Sequence, residues 1–507
     1  MTDRELVRSA VADALQGEAF QGHCFALLHT VCQRAATRIN TKTRDKISRD
    51  EVAQIAATMS SFVIEDRTIA LQRYEEAERI VADQVAALLK EPPGTTAISQ
   101  LLPDEDLELD AQQLRAVGLM VNAPIGLVTG PPGSGKTTIV EEALAQLHRL
   151  GESYALAAPT GKAARRLAET SKRPASTLHR LLEWSYQGFL RDEGNPLDAD
   201  VVFVDESSMI DIELCADLLR AVRAGHTRVV FVGDADQLPP VGPGAPFRDL
   251  IASEQVPTVR LETVHRAAEK SWIYRNAPNI LAGSGVELAD CEDFEFHELG
   301  ATDGGYLGAA CLDIIHTLQA EGYGPQDYQV LVPMRKRDAG TSVLNPYFQE
   351  ALNPGQRAFQ LSADVSLSEG DCVIQTKNDY GLSVMNGEVG RIEEIDAAAR
   401  TICVQYPALP GSSDDGFRRY SRPKELRNLD LAYALTVHKF QGSQVPVVIF
   451  ICHTLHKFML SRQLLYTALT RARKRVYLVG DEGGVSHALR TIRDTQRRTR
   501  LQERLCA

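Results

Sequence analysis

Apolar runs of strand length alternate with helix-length segments through the middle of this chain. Ile125–Thr129, 153–158, Val201–Val204 and 228–232 are almost continuously apolar and are bounded by turn residues. Runs of that kind predict a parallel sheet buried on both faces, with helices as crossovers. Residues 183–197 (EWSYQGFLRDEGNPL) interrupt the alternation with aromatics and a turn, which predicts a protruding hairpin. A second alternating region begins near 266, with Tyr328–Val332 as its clearest strand. The pattern breaks again at 361–425, where 372–376, 388–395 and Thr401–Gln405 are short β-type runs and Asn386-Gly387 signals a hairpin turn. These features predict a small β-barrel inserted into a second α/β domain that resumes around 429.

The first hundred residues differ in texture. Segments 23–36 and 73–89 carry apolar residues at helical spacing, and 61–71 alternates as a short hairpin. Together they permit a small winged-helix-like module, with Glu91-Pro92-Pro93-Gly94 as the linker that follows it. The resulting domain expectation is 1–100, 101–265, 361–428, and a split domain made of 266–360 and 429–507.

Composition adds little against this picture. The 507 residues are 44% hydrophobic and 24% charged, ordinary for a soluble protein of several domains. The N-terminus lacks the apolar stretch and cleavage site of a secretory leader, and no run has the length of a membrane helix. Nine scattered cysteines without a CxxC pair argue for free thiols in a reducing cytosol rather than a zinc ribbon or an iron–sulfur cluster. Cys452, His453 and His456 lie close together, but ordinary hydrogen-bonded side chains explain them better than a metal. The net charge of −12 does not exclude nucleic acid, because phosphates need a local basic track rather than a basic average. Candidate tracks are Lys162/Arg165/Arg166, Arg335/Lys336/Arg337 and Arg471/Arg473/Lys474/Arg475, with a basic tail at Arg490, Arg493, Arg497, Arg498, Arg500 and Arg504.

The chemistry sits where the predicted strands end. Gly130-Pro131-Pro132-Gly133-Ser134-Gly135-Lys136-Thr137 satisfies G-x4-G-K-[ST] between a strand and a helix. Such a loop turns backbone N–H groups toward phosphates at the positive end of the helix dipole. Lys136 is expected to reach the β- and γ-phosphates of ATP, Thr137 to ligate Mg²⁺, and Thr138 to continue the pocket. Asp205 and Glu206 end a buried strand. Asp205 suits the Mg²⁺ shell, and Glu206 suits the base that polarises the attacking water. Gln237, in Gly233-Asp-Ala-Asp-Gln-Leu-Pro239, can contact γ-phosphate and water together. Arg266 and Arg471 are candidate arginine fingers, because a fixed guanidinium stabilises charge on the transferring phosphoryl group.

Taken together, these residues resemble a superfamily 1 helicase of the 5′→3′ branch, and most closely the RecD group. The resemblance rests on Leu109–Val117 (LDAQQLRAV), Ala158–Ala164 (APTGKAA), Ser176–Arg180 (STLHR), Asp205–Met209 (DESSM) and Gly233–Pro240. It continues through Gln375–Tyr380 (QTKNDY), Asn386–Gly390 (NGEVG), Ala434–Ser443 (ALTVHKFQGS) and Tyr466–Arg473 (YTALTRAR). It implies an α/β fold of two RecA-like P-loop motor domains with a hairpin insert, an SH3-like β insert and a helical N-terminal domain. It also implies that Gln113 reads adenine, that Gly442 joins the nucleotide site, and that Thr160, Lys162, His179, Thr436 and His438 line a single-strand track. The 183–197 hairpin would be the strand-separating pin. Trp184, Tyr186 and Phe189 suit that pin, since aromatics stack on bases. A local apolar cluster is the competing account of those three rings.

Phe440, Gln444 and Ala267 depart from the family pattern, where Ser, Glu and Gln are common. The implied partners are single-stranded DNA, duplex with a 5′ tail, and proteins docked through 1–100, with no membrane. Three functions fit: an autonomous cytoplasmic DNA helicase, a motor subunit of a larger helicase–nuclease, and a DNA-bound ATPase switch that does not unwind. RNA stays open as an alternative substrate.

Overall fold

The computed structural model describes residues 4–43, 46–90, 108–263, 271–287, 291–300, 304–355, 359–361, 365–379, 381–407, 415–492 and 497–507. The linker at 91–94, Arg266, Ala267, Tyr380 and Arg493 lie outside them. The four apolar runs form the middle of a six-stranded parallel sheet, in the order Thr258–Arg260, Ile125–Thr129, Arg228–Gly233, Val201–Val204, Tyr154–Ala158, Ala175–Thr177. Alternate residues leave for opposite cores. Leu127, Val202, Val204 and Phe231 enter one, and Val128, Val201, Phe203 and Val232 enter the other. Burial on both faces is why these strands are unbroken apolar runs rather than alternating ones.

The second α/β unit repeats the logic with five parallel strands, in the order Phe294–Glu298, Ala472–Gly480, Val445–Cys452, Tyr328–Val332, Ala434–Thr436. Between its second and third strands in sequence, Tyr328–Val332 and Ala434–Thr436, comes the β insert, an antiparallel sheet in the order Phe417–Tyr420, Thr401–Gln405, Val389–Asp396, Cys372–Gln375, Leu429–Leu431. Its core includes Val373, Ile392, Val404 and Leu431, with the Tyr406 and Tyr420 hydroxyls 2.7 Å apart. Asn386-Gly387 does not close a two-residue hairpin. The connection between the paired strands runs from 376 to 388, and Gly387 N donates to Gln375 O at 2.8 Å as the second strand begins. This longer connection reaches the first unit, where Glu388 faces Arg165 at 3.5 Å.

At the N-terminus, helices Arg4–Ala19, Leu28–Lys42, Arg49–Ala56 and Gln72–Lys90 surround a small antiparallel sheet. The helix expected over 23–36 begins only at Leu28, because Phe25–Leu27 pairs with 68–70 as a strand. The hairpin expected at 61–71 is present, as Phe62–Glu65 against Thr68–Leu71. Tyr74, Val81, Val85 and Leu88 of the last helix belong to the same core as Leu218 and Leu219 of the first α/β unit. The module is therefore packed onto that unit.

The basic tail is ordered onto the same place. Helix Leu501–Cys506 lies against helices Pro246–Ser253 and Gln72–Lys90. Arg498 pairs with Glu18 at 2.9 Å, Arg500 with Glu75 at 3.0 Å, and Arg504 with Glu75 and Glu78. Beneath them Asp249 accepts a hydrogen bond from Thr499 Oγ1 at 3.0 Å. Burial, reinforced by Glu78, pushes the Asp249 carboxyl up to about 7 against the opposing Thr499 bond. A raised acid binds its proton in the folded state first, so stability is lost as pH rises from about 4 to 7. Asp249→Asn, which keeps an acceptor for Thr499, is expected to melt higher than the parent at pH 8 and to converge on it near pH 4. Thermal denaturation across that range checks it, and parallel curves would refute it.

Candidate nucleotide pocket and nucleic-acid cleft

The phosphate loop follows directly from the sheet. Ile125–Thr129 lies between Thr258–Arg260 and Arg228–Gly233, so the loop emerges beside the Asp234 turn. Gly133 and Gly135 take φ of +82° and +83°, a left-handed region where a Cβ is strained. At Gly130 a Cβ would stand 2.9 Å from Leu261 O. Helix Lys136–Leu150 then starts at the loop's end. Lys136 Nζ donates to Gly130 O at 2.5 Å and Pro131 O at 2.8 Å. Burial lowers its pKa, opposed by the charges of Asp234, Glu206 and Asp205.

Around it lies a cleft of about 550 Å³ lined by Pro132, Gly133, Gly135, Lys136, Thr137 and Thr138, with Gln113, Asp205, Glu206, Gln237 and Arg471. Gln113 is the third residue of helix Ala111–Asn122 and forms a capping box with Asp110. Its Nε2 also donates to Ser134 O at 3.4 Å. Asp205 and Glu206 end their strand side by side. Burial, then the Glu206 charge, raises Asp205 to about 6. Glu206 takes φ +51°, a backbone state uncommon outside glycine, which points to a constrained turn. The hydroxyl of Thr137 with these two carboxylates is an all-oxygen set, the chemistry that suits Mg²⁺.

Both α/β units build this pocket. Tyr466 Oη donates to Asp234 Oδ2 at 2.8 Å, and Gln237 Nε2 donates to the same oxygen at 3.1 Å. Leu238 N donates to Thr467 Oγ1 at 2.9 Å, while Leu238 O accepts from Gln441 Nε2 at 3.2 Å. Arg471 is 1% exposed and donates to Thr467 O at 3.2 Å and Ser443 O at 3.4 Å. Its burial is opposed by the charges of Glu206 and Asp234, which places the guanidinium among the pocket's acids.

Among the further lining residues that sequence reasoning put elsewhere or did not assign are Arg166, Tyr274, Gln444 and Arg473. Arg166, expected on a nucleic-acid track with Lys162 and Arg165, instead stands 3.8 Å from Glu206. Its helix, Gly161–Ser171, starts beside the Val201–Val204 strand end, a neighbourhood fixed by strand order rather than by local sequence. Gly442 lies against Thr160 and Ala163, and Gln444, two residues on, lines the pocket. The Arg471–Arg475 run is also divided. Arg471 and Arg473 face the pocket, whereas Arg475 pairs with Glu321 at 2.9 Å.

A second cleft of about 550 Å³ separates the Gly161–Ser171 helix and the hairpin from the β insert. His179, Trp184, Arg165, Arg180, Tyr406 and Arg418 are among its walls, so cations and rings converge there. The hairpin is short: Trp184–Ser185 pairs with Gly188–Phe189. Tyr186 at its tip is 96% exposed and Trp184 48% exposed, with ring centroids 5.9 Å apart. Phe189 turns inward, 5.5 Å from the His179 ring, and packs on the core. Of the remaining track residues, Lys162 and Thr160 stand where the two units meet, beside Phe440 and Gly442. Lys162 Nζ lies 4.6 Å from the Phe440 ring centroid, and burial lowers it to about 8. Thr160 caps the Gly161–Ser171 helix, and Thr436 Oγ1 accepts from Lys439 N, one residue after His438. His453 and His456 face the carbonyls of Gly300 and Asp338.

Comparison with known proteins agrees with this geometry. Residues 108–295 match the AAA domain family, 344–406 the SH3 domain of ATP-dependent RecD-like DNA helicases, and 431–479 the UvrD-like helicase C-terminal domain. The RecBCD enzyme subunit RecD of Mycobacterium tuberculosis is 33% identical over 497 residues, covering 87% of this chain and 81% of the relative. The chain belongs to the RecD-like helicase family. The ATP-dependent RecD2 DNA helicase of Deinococcus radiodurans is 36% identical over 465 residues, 91% of this chain. This RecD-like chain spans 62% of that relative's length. Among solved structures, a Pif1 helicase from Bacteroides in complex with ADP-AlF3 and single-stranded DNA is 19% identical, at a TM-score of 0.43. That comparison covers 76% of this chain and 95% of the Bacteroides protein, and is too distant to carry an argument. No helix among the described residues is long and apolar enough to cross a membrane.

Proposed function

We propose that this chain is an ATP-driven 5′→3′ single-strand DNA translocase and DNA helicase working in repair, recombination or replication. The observation that carries the reading is that the γ-phosphate-sensing segment Asp234–Leu238 is hydrogen-bonded directly to Tyr466 and Thr467 of the other α/β unit. A change at the nucleotide thereby becomes a change in how the two units sit together.

In this proposal Lys136 leaves its loop carbonyls to neutralise the β- and γ-phosphates, and Gln113 holds the adenine. Thr137 and Asp205 would hold Mg²⁺, which when bound supplies charge neutralisation between phosphates. Glu206, held by Arg166, orients the attacking water, and Gln237 contacts water and γ-phosphate together. Arg471 brings positive charge from the second unit, and Arg266 is proposed to join it. Thr160, Lys162, Thr436 and His438 carry the strand across the junction, and His179 continues it into the basic cleft. Trp184 and Tyr186 meet the duplex fork. The proposed domain division follows the sheets, with Phe359 and Leu429–Leu431 packing into the insert.

A second reading, a motor subunit of a helicase–nuclease docked through 1–100, is favoured by the 81% coverage of a RecBCD subunit. The test measures ATP turnover with and without single-stranded DNA, then unwinding of 5′- and 3′-tailed duplexes, all with the isolated chain. Strong stimulation with unwinding from the 5′ tail only is expected. Stimulation without unwinding would favour the subunit or an ATPase switch, and unwinding from the 3′ tail would overturn the polarity.

A further inference from the structure

Three carbonyls converge on one guanidinium behind the sensor segment. Arg497 Nη1 donates to Gly242 O at 2.5 Å and to Gly244 O at 2.7 Å, while Nη2 donates to Pro240 O. Arginine's planar fork can serve three fixed acceptors at once, which a single ammonium cannot match in geometry. The gripped loop, 240–244, continues without a break from Gln237, Leu238 and Pro239. The sensor is thus held at both ends, at Leu238 by the second unit and at 240–244 by Arg497.

The loop has no slack to compensate for a lost grip. Gly244 N donates to Gly22 O at 3.0 Å, and Ile212 N donates to Pro243 O at 3.0 Å. Gly244 takes φ +77°, and a Cβ there would stand 2.9 Å from Ile212 Cβ. Arg497 is itself positioned by its neighbour, since Arg498 O accepts from Cys24 N at 2.8 Å and Arg498 N donates to His23 Nδ1 at 3.1 Å. Arginines 497, 498, 500 and 504 are all engaged with carbonyls or carboxylates, so the tail is a strap rather than a nucleic-acid arm.

The strap also crosses between units. Helix Glu482–Arg490 packs on Arg462–Leu469 of the second unit, whereas Arg497 sits on the first. Five peptide steps from Ile492 to Arg497 can span at most about 18 Å. Any movement of the units that carried Ile492 farther than that from Arg497 would therefore pull on Arg497.

We propose that residues 497–506 are a clamp that sets the sensor loop, with Arg497 a positioning residue for ATP turnover. The proposal rests on the ATPase reading above and adds to it a link between cleft opening, the N-terminal module and Gln237.

The test uses the full chain carrying Arg497→Lys, which keeps the charge and loses the fork. Intrinsic ATP turnover without nucleic acid is read together with backbone amide exchange over 238–245. A roughly tenfold lower kcat is expected, because small displacements remote from the reacting atoms are costly, with KM for ATP within about twofold. Exchange over 238–245 is expected to quicken while that of Arg228–Gly233 stays as in the parent. Unchanged kcat or unchanged exchange would overturn the proposal, as would a fall in nucleotide affinity and melting temperature together with kcat. Nucleic-acid stimulation is read separately. Its absence in the parent would count against the translocase reading and leave the strap to be decided on intrinsic turnover and exchange.

Discussion

Lys136→Ala is expected to abolish ATP turnover, by roughly a thousandfold or more, while leaving the chain folded. The magnitude follows from what the ammonium is placed to do. It is the buried cation at the mouth of a loop whose other donors are backbone N–H groups, and phosphoryl transfer depends on positioning and charge neutralisation. The fold survives because, among the described residues, Lys136 donates to two carbonyls of its own loop, at Gly130 and Pro131. Its loss also removes a buried charge whose desolvation is costly. One consequence runs the other way. Asp205 and Asp234 lose a neighbouring cation, so these two carboxyls are expected to hold protons to higher pH than in the parent. Turnover with and without single-stranded DNA, alongside a circular-dichroism melt, decides the matter. Retained DNA-stimulated turnover would remove the phosphate loop from the catalytic account.

Arg471→Lys is the second large effect, and a more discriminating one. Arg471 is buried where the units meet, and its Nε and Nη1 are spent on Thr467 O and Ser443 O. Arg471 also lines the pocket and feels the charge of Glu206, where the proposed reaction places the γ-phosphate. A lysine keeps the charge but cannot satisfy those carbonyls and reach the phosphate together. Turnover is expected to fall about a thousandfold, within the range known for arginine fingers, with ADP affinity changed only a few-fold. Single-turnover hydrolysis and ADP titration separate the two quantities. If affinity falls with turnover preserved, Arg471 is a staple between units and the finger role passes to other cations of the pocket, Arg166 and Arg473 among them.

Arg166 and Arg473 show where sequence reasoning runs short. Both are named in basic runs, yet both line the nucleotide pocket rather than a nucleic-acid track. The residues of a basic run on a helix point in different directions, and the direction gains meaning only when the neighbouring strand is known. Gly442 and Gln444 make the same point two residues apart. One packs on Thr160 and Ala163 and the other lines the pocket, a division set by a left-handed turn at Gly442 with φ +72°. Phe25–Leu27 was equally beyond reach, because three apolar residues fit a helix or a strand until Thr68–Leu71 is beside them.

The parts of this protein whose cause is local can be read along the chain. The phosphate loop needs glycines where φ is positive, the acids must end a buried strand, and strands covered on both faces must be apolar throughout. Each of those demands is met within about ten consecutive residues, so each is written legibly. Which loops meet is a matter of tertiary packing. It put Asp234 against Tyr466, Arg166 against Glu206, and Arg497 against the loop behind the sensor. Those partners are 232, 40 and 255 residues apart in sequence. Contacts at such separations are selected by the packing of whole sheets and by the burial of charge that must be paired, and no local pattern encodes them.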